Sequence, residues 1–165
     1  MAYLLDANTL IEAKNTWYAF DLCPGFWSWI EDAHNSGQVF STAGIRKELL
    51  NGNDQLAAWA KQRPAGFFLP DDAASLAEMP NVSTWVTSQN FQPDAIRQFM
   101  SGADPFLVAY AKAHGHTVVT HERHQPGQRN RVKIPTVCAA LGVACDHTFT
   151  VLRAENVRFV VAGTP

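Results

Sequence analysis

The chain is 165 residues long (18.2 kDa), 47% apolar and 17% charged, with a formal net charge of −2. That composition excludes disorder and collagen-like fibre, and a charge so near neutral means that any nucleic-acid partner must be held by a local patch. At this length a single domain over residues 1–165 is expected, burying roughly 70% of the surface of its unfolded chain.

No stretch approaches the ~20 apolar residues of a membrane span, and the first apolar run is too short for a signal segment, so a cytoplasmic protein without membrane contact is expected. Cys23, Cys138 and Cys145 form neither a C-x-x-C pair nor a secreted disulfide framework and read as buried thiols. Residues 3–6 form a short apolar strand that stops at Asp6-Ala-Asn-Thr9, a cluster of turn and capping residues, and a helical stretch follows at 10–14. Six aromatic residues then crowd positions 17–30, with a helix over 26–35 closed by Gly37. A second strand is expected at 39–42, helices at 43–50 and 54–62, and a third strand at 67–69. The segment 71–79 opens on acidic caps and reads as helix, whereas Pro80 and the β-rich run 82–87 leave the middle of the chain open between helix and strand.

Helices are expected at 93–100 and again from Asp104-Pro105 to His114-Gly115, followed by a strand at 117–120. Helix, glycine turn and β-branched run in that order are the second half of a βαβ crossover, which favours a parallel sheet flanked by helices. After a polar segment at 121–131, a helix starts at Pro135 and runs to Leu141, a short strand is expected at 143–144, and a last helix at 149–155.

Four acids occupy comparable positions along this chain. Asp6 ends the first strand, Glu48 lies in the helix after the second, Asp104 opens a helix, and Glu122 follows the strand at 117–120. A parallel α/β sheet gathers strand C-termini and helix N-termini at one edge, so three of these converge there and Glu48 reaches in from its helix. Two carboxylates about 4 Å apart repel by roughly 4 kcal/mol at an effective dielectric of 20, so such a cluster persists around a cation or by taking up protons. Mg²⁺ or Mn²⁺ is the expected occupant, because hard divalent ions prefer oxygen ligands. Each acid also has a plainer reading. Asp104 before Pro105 is an N-cap signature, Asp6 could cap the helix from Thr9, and Glu48 and Glu122 could be solvated.

The segments Tyr3-Leu-Leu-Asp6-Ala-Asn8-Thr-Leu-Ile11, Arg46-Lys-Glu48-Leu, Gly102-Ala-Asp104-Pro-Phe-Leu-Val-Ala-Tyr-Ala111 and Val118-Val-Thr120-His-Glu122 resemble, in order, the four acidic motifs of PIN-domain ribonucleases. The resemblance spans about residues 3–145, and the Ile134-Pro-Thr-Val-Cys138 segment resembles that of a bacterial PIN-like subgroup. It implies a three-layer α/β/α sandwich with a central parallel sheet and a Mg²⁺- or Mn²⁺-dependent endoribonuclease activity. Many bacterial domains of this family are toxins of type II toxin–antitoxin pairs, which implies an antitoxin partner and admits a homodimer. The implied site is Asp6, Glu48, Asp104 and Glu122, with Asp6, Asp104 and Glu122 on the metal and Asn8 and Thr120 in support. The fourth motif departs from the family, since Glu122 stands where Asp is usual, and this bears on a second metal.

Arg123, Arg129, Arg131 and Lys133 supply four of the thirteen Lys and Arg residues within one segment beside that edge and are expected to hold an RNA backbone; a solvated loop is the alternative. His121-Glu-Arg-His124 lacks the spacing of a zinc motif. The aromatic run 17–30 suits core packing, a dimer surface or an antitoxin groove. Two other functions fit parts of the chain. Leu5-Asp6-Ala-Asn8-Thr9 also resembles the D-x-D-x-T opening of haloacid-dehalogenase phosphatases, although Asn8 cannot act as their general acid, and a catalytically silent PIN-like binding module would tolerate Glu122.

Overall fold

The computed structural model describes residues 1–161. Strand β1 (Tyr3–Leu5) lies at the centre of a five-stranded sheet of order β3-β2-β1-β4-β5, in which every pairing is parallel. The other strands are β2 (Val39–Thr42), β3 (Phe68–Leu69), β4 (Thr117–Val119) and β5 (Cys145–Asp146). Tyr3 sits opposite Val39 on one side and Thr117 on the other. Leu4, Val39 and Val118 are fully buried, as expected of parallel strands covered on both faces.

Nine α-helices connect the strands within the described residues: α1 (Ala7–Glu12), α2 (Pro24–Asn35), α3 (Ala43–Asn51), α4 (Gln55–Lys61), α5 (Ala73–Ser88), α6 (Pro93–Ser101), α7 (Asp104–His114), α8 (Ile134–Leu141) and α9 (Thr148–Ala154). Connections from β1 through β2 to β3 advance one way across the sheet, and those through β4 to β5 advance the other. Right-handed crossovers therefore place the two sets of helices on opposite faces, giving the expected α/β/α sandwich. Direction reverses between β1 and β4, the place where open α/β sheets leave a crevice at their strand ends. Helix α7 is buried on most sides, through Leu107, Val108, Ala109 and Ala111, and packs on α3, α5, α6 and α8 before Gly115 ends it in a left-handed cap.

Several elements depart from the sequence expectation. Helix α5 continues through Pro80 and absorbs 82–87, because Ser75, Val82 and Val86 recur at helical spacing and are buried. Proline, which lacks a backbone N–H, sits on the exposed side. The first helix starts at Ala7 rather than at residue 10 and passes into a π-turn (Ala13–Trp17), where the Tyr18 N–H donates to the Ala13 carbonyl at 2.6 Å. The strand expected at 143–144 lies two residues later. Within the aromatic run, Tyr18, Phe26 and Trp27 are core residues, with Tyr18 stacked on Phe26 at 4.2 Å and Trp27 on Phe20 at 4.0 Å, while Trp17 stays exposed. Cys138 is buried as expected; Cys23 and Cys145 are only half-buried. Among the described residues no helix is long and apolar enough to cross a membrane.

Candidate metal centre

Asp6 leaves the end of β1 directly into α1, where its backbone N–H donates to the Val119 carbonyl at 3.0 Å. It occupies the N-cap position without a capping hydrogen bond from its carboxylate, although the nearby Asn8 N–H still favours its ionised form. Instead Oδ2 accepts the Thr120 hydroxyl at 2.8 Å, and Oδ1 is buried without any hydrogen-bond partner among the described residues. Thr120 in turn accepts the Glu122 N–H at 3.1 Å, so the turn after β4 is tied to the end of β1. Thr9 ties the same two strands, donating its hydroxyl to the Val119 carbonyl at 2.9 Å.

Asp104 is the first residue of α7, and the N-cap is Ala103; here too the carboxylate makes no capping bond. Burial raises the Asp6 carboxyl to about 8, with the charge of Asp104 the next cause and the Thr120 hydroxyl opposing. Burial likewise raises Asp104 to about 7, followed by the charges of Glu48 and Glu122, with Arg131 and Lys133 opposing. Asp6 therefore feels Asp104 and Glu122, and Asp104 feels Glu48 and Glu122, at the switch between β1 and β4.

Glu48 reaches this edge from α3. Its Oε1 accepts the Ala103 N–H at 2.9 Å, one residue before Asp104. Gly44, one helical turn earlier on the same face, permits the approach, since a Cβ there would stand 3.0 Å from the Cβ of Ala103. Glu48 is thus a clamp on the start of α7 with its second oxygen uncommitted among the described residues.

Glu122 differs from the other three. Its side chain is 7% exposed; Oε2 accepts the Ile134 N–H at 2.9 Å, while Oε1 meets Lys133 at 3.2 Å and Arg131 at 3.5 Å. Both oxygens are engaged at the start of α8, where Glu122 anchors that helix. The basic segment is partly used up by the same contacts. Arg131 and Lys133 neutralise Glu122, and Arg129 donates to the Asn90 carbonyl at 3.0 Å. Arg123 is exposed.

Glu122, Arg123, Arg131 and Lys133 border an open groove of about 350 Å³ that is also lined by Asn8, Glu12, His121 and Gln125. Asn8 lines the groove from α1. His121 is held between Glu12 at 3.3 Å and the Thr148 hydroxyl at 3.0 Å, and burial, then His147, lowers its pKa. Glu12 was silent in the sequence because a lone acid within a helical stretch carries no signal, and His121 because its neighbours matched no metal motif.

Does this arrangement suit a divalent ion? An unpartnered buried carboxylate oxygen and two buried acids raised by burial and by neighbouring carboxylates are what a cation would relieve. Asp6 and Asp104 fit, with Glu48 close enough to feel. Among the described residues no group of three or more His, Cys, Asp or Glu side chains forms a ready ion cage, so water would have to complete the shell.

The sequence pattern of the family described as "Domain of unknown function (DUF4411)" matches residues 3–159. No curated protein matches the chain. Among solved structures, the crystal structure of FitAcB from Neisseria gonorrhoeae is similar, with a TM-score of 0.54 and 20% sequence identity over 87% of this chain and 96% of that one. At that identity the likeness establishes the fold, a PIN-like sandwich.

Proposed function

From the premise that the chain belongs to the DUF4411 family and has a PIN-like fold, we propose that it is a divalent-metal-dependent endoribonuclease, the toxin of a type II toxin–antitoxin pair. The observation that supports this reading most is Asp6, with one buried oxygen unpartnered and its carboxyl raised first by burial and then by Asp104 across the switch point. The toxin role rests on the resemblance of the four acidic segments to PIN-domain ribonucleases, and the partner would be an antitoxin.

Asp6 and Asp104 would hold Mg²⁺ or Mn²⁺. When bound, such an ion supplies positive charge for phosphate oxygens and an acidic water suited to attack on phosphorus. Thr120 fixes the Asp6 carboxylate by donating to Oδ2, leaving Oδ1 without a hydrogen-bond partner. Glu48 holds the start of α7, and so Asp104, through the Ala103 N–H, and its other oxygen would orient a water. Glu122 acts at one remove, keeping Arg131 and Lys133 beside the acids. Arg123, Arg131 and Lys133 line the groove along which an RNA backbone would pass, and Arg129 lies outside it, donating to the Asn90 carbonyl. The expected products carry 5′-phosphate and 3′-hydroxyl ends.

Cleavage of a mixed-sequence single-stranded RNA in saturating Mn²⁺ tests this. Asp6→Asn and Asp104→Asn should each lose more than ~100-fold in rate, the upper cost of removing a supporting residue at a metal site. Wild-type rates in either folded variant would remove the proposal.

A further inference from the structure

The loop that lines the basic groove also walls a second cavity, of about 230 Å³, and Gln125 lines both. This cavity lies between the last turn of α5, the link 89–92, the turn 125–129 and Thr136 on α8. Hydrogen bonds hold its walls in place. The Gln92 N–H donates to the Arg129 carbonyl at 2.8 Å, and the Arg129 side chain donates to the Asn90 carbonyl at 3.0 Å. The Gln128 N–H closes a turn on the Gln125 carbonyl at 3.2 Å, through Gly127 at φ +85°.

Two half-buried aromatic rings, Trp85 and Phe91, line the cavity and meet edge to face, with centroids 6.1 Å apart at 66°. Beside them stand the side-chain amides of Gln89, Asn90, Gln125 and Gln128, and no acid lines the cavity among the described residues. The Gln128 Oε1 is buried without a hydrogen-bond partner among the described residues, which costs free energy until a donor reaches it. Aromatic rings flanked by amides suit a planar heterocycle, because every nucleobase has a face to stack and an edge that amides can pair. A protein segment could also use the rings. Continuity through Gln125 with a groove lined by Arg123, Arg131 and Lys133 favours a strand whose backbone carries phosphates.

We infer that this cavity is a subsite for one unpaired nucleobase of an RNA strand whose backbone lies in the basic groove, and that Gln128 selects bases bearing an exocyclic amino group. The inference deepens the ribonuclease reading and takes its substrate class from it. Trp85 or Phe91 stacks on the base, and the amino N–H of adenine, cytosine or guanine donates to the Gln128 Oε1. Uracil, with a carbonyl in place of the amino group, sets an oxygen against that acceptor.

Binding without divalent metal separates the subsite from catalysis. Short 2′-O-methylated homopolymers resist hydrolysis, and fluorescence anisotropy in EDTA reads the affinity of each. Adenine and cytosine strands should bind at least ~5-fold more tightly than uracil, the lower limit for one well-made base contact. Gln128→Ala should erase most of that ratio, and Trp85→Ala should weaken the preferred strands at least ~5-fold, the lower limit for a base stacked on an aromatic ring. Ultraviolet crosslinking of the wild type to a strand carrying 5-iodocytosine needs no variant and should attach it at Trp85 or Phe91. Uracil bound as tightly as the others, an unchanged ratio in Gln128→Ala, or crosslinks only outside the cavity would each overturn the subsite, the last leaving the rings to a protein segment. Cleavage that depends on Asp6, without base preference in binding, would overturn the subsite and leave the ribonuclease reading standing. Crosslinks at Trp85 in a protein that cleaves no RNA would do the reverse.

Discussion

Asp6 and Thr120 are 114 positions apart in the chain and joined by one hydrogen bond, and the chemistry at residue scale turns on that contact. Strand-end acids followed by turn residues were legible as candidates from the sequence. Their capping role was a fair alternative there, since position alone cannot say whether a carboxylate folds back on its own helix or across to the next strand. Burial of the ionised pair has a consequence for stability. An acid whose folded pKa lies above its unfolded one binds more protons when folded, so its stabilising contribution is full below the unfolded value and is lost as pH rises through the folded value. With Asp6 near 8 and Asp104 near 7, the metal-free protein should lose stability between about pH 4 and pH 8. Urea unfolding across that window should show the decline, and Asp6→Asn should flatten it; an equal slope in the variant would mean that the carboxyl is not desolvated.

At the scale of elements, α8 is held by a residue outside it. Glu122 receives the Ile134 N–H and balances Lys133 and Arg131, so the polar segment between β4 and α8 is tied at both ends. Glu122→Ala should therefore cost about 1–3 kcal/mol by leaving these groups unpaired, whereas Glu122→Gln, which keeps an acceptor for Ile134, should cost less. Thermal unfolding of the two variants decides, and equal, negligible losses would show that the anchor is unimportant. The sequence could not reveal this use, because the motif position of Glu122 pointed to the metal and its contacts lie eleven and twelve residues downstream. Helix α5 shows the opposite failure. Val82 and Val86 suggested strand by their branching, yet burial one turn apart overrode that preference. Strands β1, β2 and β4 were readable because each is a short apolar run with a turn or helix signal at its end. The π-turn after α1 had no readable signal, since it depends on how Tyr18 is drawn into the aromatic cluster.

For the whole molecule, the governing feature is the reversal of strand order between β1 and β4. It brings Asp6, Asp104 and the clamp of Glu48 to one edge, although the chain spreads these acids over nearly a hundred residues. The layered architecture followed from the order of helix and strand signals, but how closely the acids approach depends on packing details such as Gly44 against Ala103. Titration calorimetry with Mn²⁺ near pH 7.5, in two buffers of different ionisation enthalpy, tests the acid pocket most directly. We expect saturable binding with proton release from the raised carboxyls, and its loss in Asp6→Asn and Asp104→Asn; no binding by the wild type, or undiminished binding by both folded variants, would contradict a divalent-ion site at this edge.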